Sequence, residues 1–257
     1  MGWDLAINLA ASFIAFLAGW FFRTSVKRRR ELRPASRVWK LNPSLPTSIV
    51  TGDGPVIDVT DYMTQTVWPA EYAAATEVSL YLARVFGCRM DRICTAERFP
   101  KDKALEGNLI VIGGPVRNEV FRALAERIRL PYSFSGFDLI RADDKHTFSA
   151  RISNGKVDRD IGLVVLAQNP FNQKARLVML AGCRVFGSLA AARSVVDPLI
   201  EETCARLTGG DSACLVVEVD VIDQYIARPR VVDCIPLSRS LHMERLDPPG
   251  SGDALPL

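Results

Sequence analysis

The chain has 257 residues, 48% hydrophobic and 24% charged, with a formal net charge of +3; that is room for one ordinary globular domain and something extra. Charge is unevenly shared: residues 23–40 hold eight Lys or Arg against Glu31, which leaves a net −3 from Leu41 onward, so the body of the chain lacks the basic footprint of a nucleic-acid-binding domain. Six scattered cysteines and only two histidines, His146 and His242, form no close-spaced zinc motif; reduced, buried thiols are the first expectation and disulfides in an exported domain the second.

The extra piece comes first. Leu5 to Phe22 is apolar except for Asn8, Ser12 and Gly19, and at about 1.5 Å per helical residue it spans roughly 27 Å, enough to cross a bilayer. A cleaved signal peptide places positive charge before the apolar run. Here Asp4 precedes it and Arg23, Lys27, Arg28, Arg29 and Arg30 follow, so residues 1–22 read as an uncleaved anchor. The basic flank then keeps the bulk of the chain in the cytoplasm and meets anionic lipid on that side. Residues 23–46, with Pro34, Pro43 and Pro46, read as a juxtamembrane linker.

The folded domain is expected over residues 47–240, with a disordered tail at 241–257. Thr47 to Thr51 is a short β-prone run closed by Gly52-Asp53-Gly54-Pro55, and the segment up to Pro69 is polar and irregular. Pro69 and Glu71 open a helix that runs to about Phe86 and stops at Gly87. Arg92 to Thr95 is a weak second strand. Leu109 to Ile112 is a strand buried on both faces, ended by Gly113-Gly114-Pro115 and followed by a helical pattern from Val116 to Ile128. From Tyr132 an extended meander, with an Asn154-Gly155 turn, leads into the strand Ile161 to Ala167. Asn169-Pro170-Phe171-Asn172 ends that strand, and Arg176 to Ala181 forms another that stops at Gly182. A second long helix runs from Gly187-Ser188 to Leu207, with Ser188 as its N-cap and a break at Asp197-Pro198. Val217 to Val221 alternates with Glu218 and Asp220, the pattern of a strand near an edge.

Strands followed by helices predict a three-layer αβα sandwich, Rossmann-like, on a mixed and mostly parallel sheet. Ligands of such sheets collect beyond the carboxyl ends of the strands. Four loops are assigned to that edge: Gly52, Asp53 and Gly54; Gly113 and Gly114 with Arg117 and Asn118; Asn169 and Asn172; and Gly182 and Arg184 with Gly187 and Ser188. The glycines admit a ligand close to backbone amides, the arginines pair with phosphate or carboxylate, and the asparagines supply donors and acceptors. Tight turn packing and asparagines serving their own loops explain the same residues without a ligand.

Enzyme templates fail. The chain has no Gly-x-Gly-x-x-Gly and no Gly-x-x-x-x-Gly-Lys-Ser/Thr loop. Cys183 stands at a strand-to-helix turn, but the arginine of a Cys-x5-Arg phosphatase loop is replaced by Leu189. Asp53 and Asp58 lack a positioned second group. No cofactor and no metal are expected, and no catalytic residue is assigned.

Leu-Ile-Val-Ile-Gly-Gly-Pro-Val-Arg-Asn, with the later Asn-Pro-Phe-Asn, Val-Met-Leu-Ala-Gly and Gly-Ser-Leu-Ala-Ala-Ala, resembles a pattern shared by the C-terminal domain of archaeal S-layer proteins and related bacterial domains of undefined role. The resemblance covers about Asn108 to Arg193 and implies a Rossmann-like domain and no particular activity. Gly187-Ser188 stands where that pattern commonly has Gly-Thr. S-layer proteins lie outside the cell, against the cytoplasmic placement read from the basic flank. Three functions follow as expectations: a membrane-anchored, non-catalytic sensor or scaffold that binds a small anionic ligand such as a nucleotide; a hydrolase or glycosyl-transfer enzyme using Asp53 or Cys183; and a structural or protein-interaction domain at the membrane, docking through the strand Val217 to Val221.

Overall fold

The computed structural model describes residues 13–21, 23, 35–59, 62–88, 90–100, 103–207 and 212–237. Residues 13–21 are helical, with Phe13, Ile14, Phe16, Trp20 and Phe21 all more than half exposed. The rest of the expected anchor, most of its basic flank and the tail at 241–257 lie outside the described residues. Among the described residues no helix is long and apolar enough to cross a membrane.

The strands are β1 (Thr47–Thr51), β2 (Val56–Val59), β3 (Tyr62–Gln65), β4 (Arg92–Thr95), β5 (Asn108–Ile112), β6 (Tyr132–Ser135), β7 (Asp138–Arg141), β8 (Thr147–Ser149), β9 (Arg151–Ser153), β10 (Lys156–Asn169), β11 (Asn172–Gly182), β12 (Ala213–Ile222), β13 (Tyr225–Ile226) and β14 (Arg230–Pro236). The long helices are α1 (Pro69–Phe86), α2 (Glu119–Ile128), α3 (Val185–Val196) and α4 (Pro198–Leu207). The main sheet runs β13-β12-β10-β11-β5-β1-β4, with β14 on β12 and β9 on β10.

The fold is α/β on a mixed sheet. One half, β4-β1-β5-β11, is parallel, as βαβ connections require. The other half is antiparallel: β10 pairs with β11 and β12, and β12 with β14. The expected mostly parallel sheet is therefore corrected. The cause is local, because Pro170 and Phe171 turn β10 directly back into β11, so Ile161 to Ala167 runs against both of its neighbours.

Apolar side chains fill both faces because each central strand reads apolar at every position. One row, Thr51, Ile112, Leu180, Val164 and Leu215, crosses five strands in register, and its last four members lie under α1, α3 and α4. The alternate set, including Val50, Leu109, Val111, Met179, Val165 and Val216, packs against α2 and the β6-β7-β8 meander.

Three further expectations change. Strand β12 is interior: Val217 pairs with Gly162 on one side and Val231 on the other, so it offers no docking edge. The second strand of that pairing, β14, and the β2-β3 hairpin were not anticipated. Residues 35–39, assigned to the linker, are helical, and Ala35, Val38 and Trp39 are fully buried. The Trp39 indole donates to the Val195 carbonyl at 3.0 Å, and buried Arg176 donates to the Val38 carbonyl at 2.9 Å. Folded structure thus begins by residue 35. Replacing Trp39 by Ala should cost about 3–5 kcal/mol, read as a lower urea midpoint; an unchanged midpoint would return this segment to the status of a linker.

Candidate functional site

The parallel strands set two rims. At the carboxyl-end rim lie Gly52 after β1, Gly113 after β5 and Gly182 at the end of β11, since Thr51, Ile112 and Leu180 are in register. Asn169 and Asn172 belong to the opposite rim, because the β10-β11 turn sits at the amino end of β11. The four loops do not converge, which corrects the expected site.

The asparagines at the amino-end rim are engaged with backbone. The Asn169 amide donates to the Leu105 and Gly107 carbonyls at 2.6 and 2.7 Å and its oxygen accepts from Phe171 N–H. Asn172 donates to Glu106 and accepts from Lys174. Asn108 joins Asn42, Leu45 and Arg176 in the same way. These side chains staple loops.

At the carboxyl-end rim, backbone amides that an anion would seek are already taken by the protein's own oxygens. Glu71, in the first turn of α1 and 7% exposed, accepts from Gly52 N–H through Oε2 at 2.9 Å. A side chain on Gly113 would start 2.7 Å from Oε1, and one on Gly52 2.9 Å from Oε2, so these two glycines make room for a carboxyl. Burial pushes the Glu71 carboxyl from 4.5 up to about 7, the Gly52 amide opposing and the nearby Asp53 charge adding to the rise. Among the described residues, Oε1 accepts no hydrogen bond.

Asp160 does the same for α3. It accepts from Gly187, Ile161 and Arg184 N–H at 2.6, 2.8 and 3.1 Å, and burial raises its carboxyl from 3.8 to about 6 against those three bonds. The helix starts at Val185 with Asp160 as its effective cap, so Ser188, expected as N-cap, lies buried inside it. Gly182 and Gly187 are packed against each other and the Ile161 carbonyl too closely for a Cβ. Asn118 caps α2, accepting from Phe121 N–H and donating to the Ile112 carbonyl, both at 3.0 Å. Asp53 accepts from Glu97 N–H at 3.2 Å, and a Cβ on Gly54 would meet the Thr66 carbonyl at 2.5 Å.

Three expected residues retain capacity. Gly114 has only the Gly182 carbonyl near its Cβ position, at 3.6 Å, so internal crowding does not explain its lack of a side chain. That contact joins the β5 and β11 loops, and each loop carries an arginine. Arg117 is exposed. Arg184 lies with its guanidinium carbon 3.6 Å from the centre of the Phe137 ring, and its buried Nε has no acceptor among the described residues.

Cys183 is buried, its thiol pushed up to about 12 by burial and by Asp160 and Asp138, which leaves it no thiolate at neutral pH. Asp58 lies on β2. A separate cleft of about 410 Å³ is walled by Glu77, Arg193, Asp197 and Arg228, whose charges pair with one another. Among the described residues no group of three His, Cys, Asp or Glu is placed to hold a metal. No known protein-family model matches the chain, and no curated protein matches its sequence.

Glu71 and Asp160 escaped sequence reading because their role appears only when loops distant in the chain meet. The single signal was Pro69-Ala70-Glu71, a helix start with an acid in its first turn. A carboxyl raised in the folded state contributes its stability below the unfolded value and loses it as pH rises through the folded one. Stability should therefore fall between about pH 4.5 and 7, by on the order of 1.4 kcal/mol for each pH step of one between those values. Asp160 and Glu201, raised by burial to about 6 and about 7, add to the fall in the same window, so Glu71→Gln should lessen this slope without abolishing it in urea titrations at pH 5, 6, 7 and 8; an unaltered slope would show that Glu71 does not contribute.

Proposed function

We propose that the chain is a membrane-tethered, non-catalytic sensor or scaffold domain that takes a small anionic ligand at the carboxyl-end rim, between Gly114, Arg117 and Arg184. The observation that carries this reading is Arg184, whose cation lies over the Phe137 ring and whose buried Nε has no acceptor among the described residues, beside Gly114, where a side chain would meet no crowding. Arginine in that state suits a planar phosphate or carboxylate, and the Gly114 backbone lets the anion approach. Nucleotides fall within this class. The Rossmann-like description fits the parallel half, β4-β1-β5-β11 with α1 and α2 on its two faces, and the kinship with S-layer C-terminal domains is proposed for that half alone. The tether reading rests on the apolar span and the basic residues after it, which put the domain on the cytoplasmic side.

Absence of catalysis is favoured by the engagement of the nearby polar side chains: Asp53, Asp160 and Asn118 hold backbone, and Cys183 stays protonated. One observation supports a second reading. A buried carboxyl raised to about 7, whose Oε1 takes no hydrogen bond among the described residues, is the form of a general acid or base, so an enzyme on this rim would use Glu71 in place of Asp53 or Cys183.

A thermal-shift panel of phosphate, nucleotides and small carboxylates tests the first reading. A ligand at a hundred times its dissociation constant adds about 2.7 kcal/mol, and Arg184→Gln should abolish that gain while leaving the unliganded stability within about 2 kcal/mol, the size of a partly desolvated cation–π contact. An equal shift in the variant, or no shift with any anion, would contradict it.

A further inference from the structure

The amino-end rim carries a charge pattern that the ligand site does not use. Its loops are placed by register and hydrogen bonds: the 84–92 connection meets β1 where Cys88 Sγ bonds Thr47 Oγ1 and Asp91 N–H bonds the Thr47 carbonyl. The end of α2 meets the β10-β11 turn, where Arg127 lies over the Phe171 ring, 4.7 Å from its centre. The chain enters the fold at this rim as well, since Asn42 is held by Asn108 and by the Lys174 carbonyl.

Six basic residues are exposed on these pieces: Arg37 and Lys40 on the incoming segment, Arg84 at the end of α1, Arg92 at the start of β4, Arg129 after α2 and Lys174 at the start of β11. The exposed acids on the same pieces are fewer: Asp91, Glu106 and, in the last turn of α2, Glu126. The opposite rim mixes its signs, with Glu97, Glu119 and Asp138 beside Arg98, Arg117 and Arg184. The basic rim is also continuous in sequence with Lys27 to Arg30 and Arg33, which follow the apolar span.

We infer that the amino-end rim is a second lipid-contacting surface, which lies on the anionic leaflet and so turns the Gly114–Arg184 rim toward the aqueous phase. This rests on the membrane-tether reading and is independent of which ligand the other rim takes. The occupant is identified by its chemistry as an anionic bilayer: the patch is broad, predominantly positive, built of long flexible cations on several loops, and has the anchor arriving within it. A compact anion would instead need convergent donors, and these side chains are spread over five separate chain segments.

Lysine footprinting of the full chain in lipid nanodiscs tests this. Acetylation of Lys40 and Lys174 should fall at least threefold in discs containing phosphatidylserine relative to phosphatidylcholine discs, while Lys156, at the far end of β10, stays unchanged. Arg84→Glu, Arg92→Glu and Arg129→Glu combined should restore the reactivity of both lysines. Equal reactivity in the two lipids, or protection of Lys156 instead, overturns the proposed surface with the tether intact. A chain that stays out of discs of either composition overturns the tether and the surface together.

Discussion

Everything at the carboxyl-end rim depends on how buried carboxyls satisfy backbone amides. Parallel strands ending beside helix starts leave N–H groups that need acceptors, and such places commonly receive an external anion. In this chain Glu71 and Asp160 occupy them, with Asn118 completing the set for α2. The cost is desolvation of two carboxyls, visible in their upward shifts. The gain is that α1, α2 and α3 are each fixed to the strand ends through side chains, so the rim is preorganised without a ligand. What is left for a ligand is narrow: one uncrowded glycine and two arginines.

The opposite rim is organised on another principle. Neutral asparagine side chains hold its loops, and the first folded segment is locked there by Trp39 and Arg176. This puts the first folded segment at one end of the sheet and Arg117 and Arg184 at the other. A buried cluster links the two: Tyr81, on α1 ten residues after Glu71, donates to Glu201 at 2.5 Å and lies beside the Trp39 ring. The α1 helix therefore carries the rim carboxyl near its start and packs against the Trp39 segment near its end.

Most elements were legible in the sequence because their signals are local. The β1 strand and α1 begin and end where Thr47 to Thr51 and Pro69 to Phe86 place them, and Asp197-Pro198 splits the second helical region as proline geometry demands. Strand direction was not legible. An apolar run such as Ile161 to Ala167 is the same string whether its neighbours run with it or against it, and only the short Pro170-Phe171 turn hinted at reversal. That one misreading carried Asn169 and Asn172 to the wrong end of the sheet. The candidate glycines were half legible: a glycine marks a close approach, and nothing in the string says whether a ligand, a carboxyl or another backbone is approaching. Gly52 and Gly113 face Glu71, Gly182 faces Gly187, and of the candidate glycines only Gly114 is uncrowded. Trp39 was the clearest overlooked cue, a large aromatic in a stretch whose prolines and charges suggested a stalk.

The most direct measurement of the central claim is a ¹³C titration of the Glu71 and Asp160 carboxyl carbons in the folded, unliganded protein. Internal occupation of the rim predicts midpoints near 7 and near 6. Midpoints at the ordinary values of 4.5 and 3.8 would contradict it, because burial would then not outweigh the amide bonds that pull both carboxyls down.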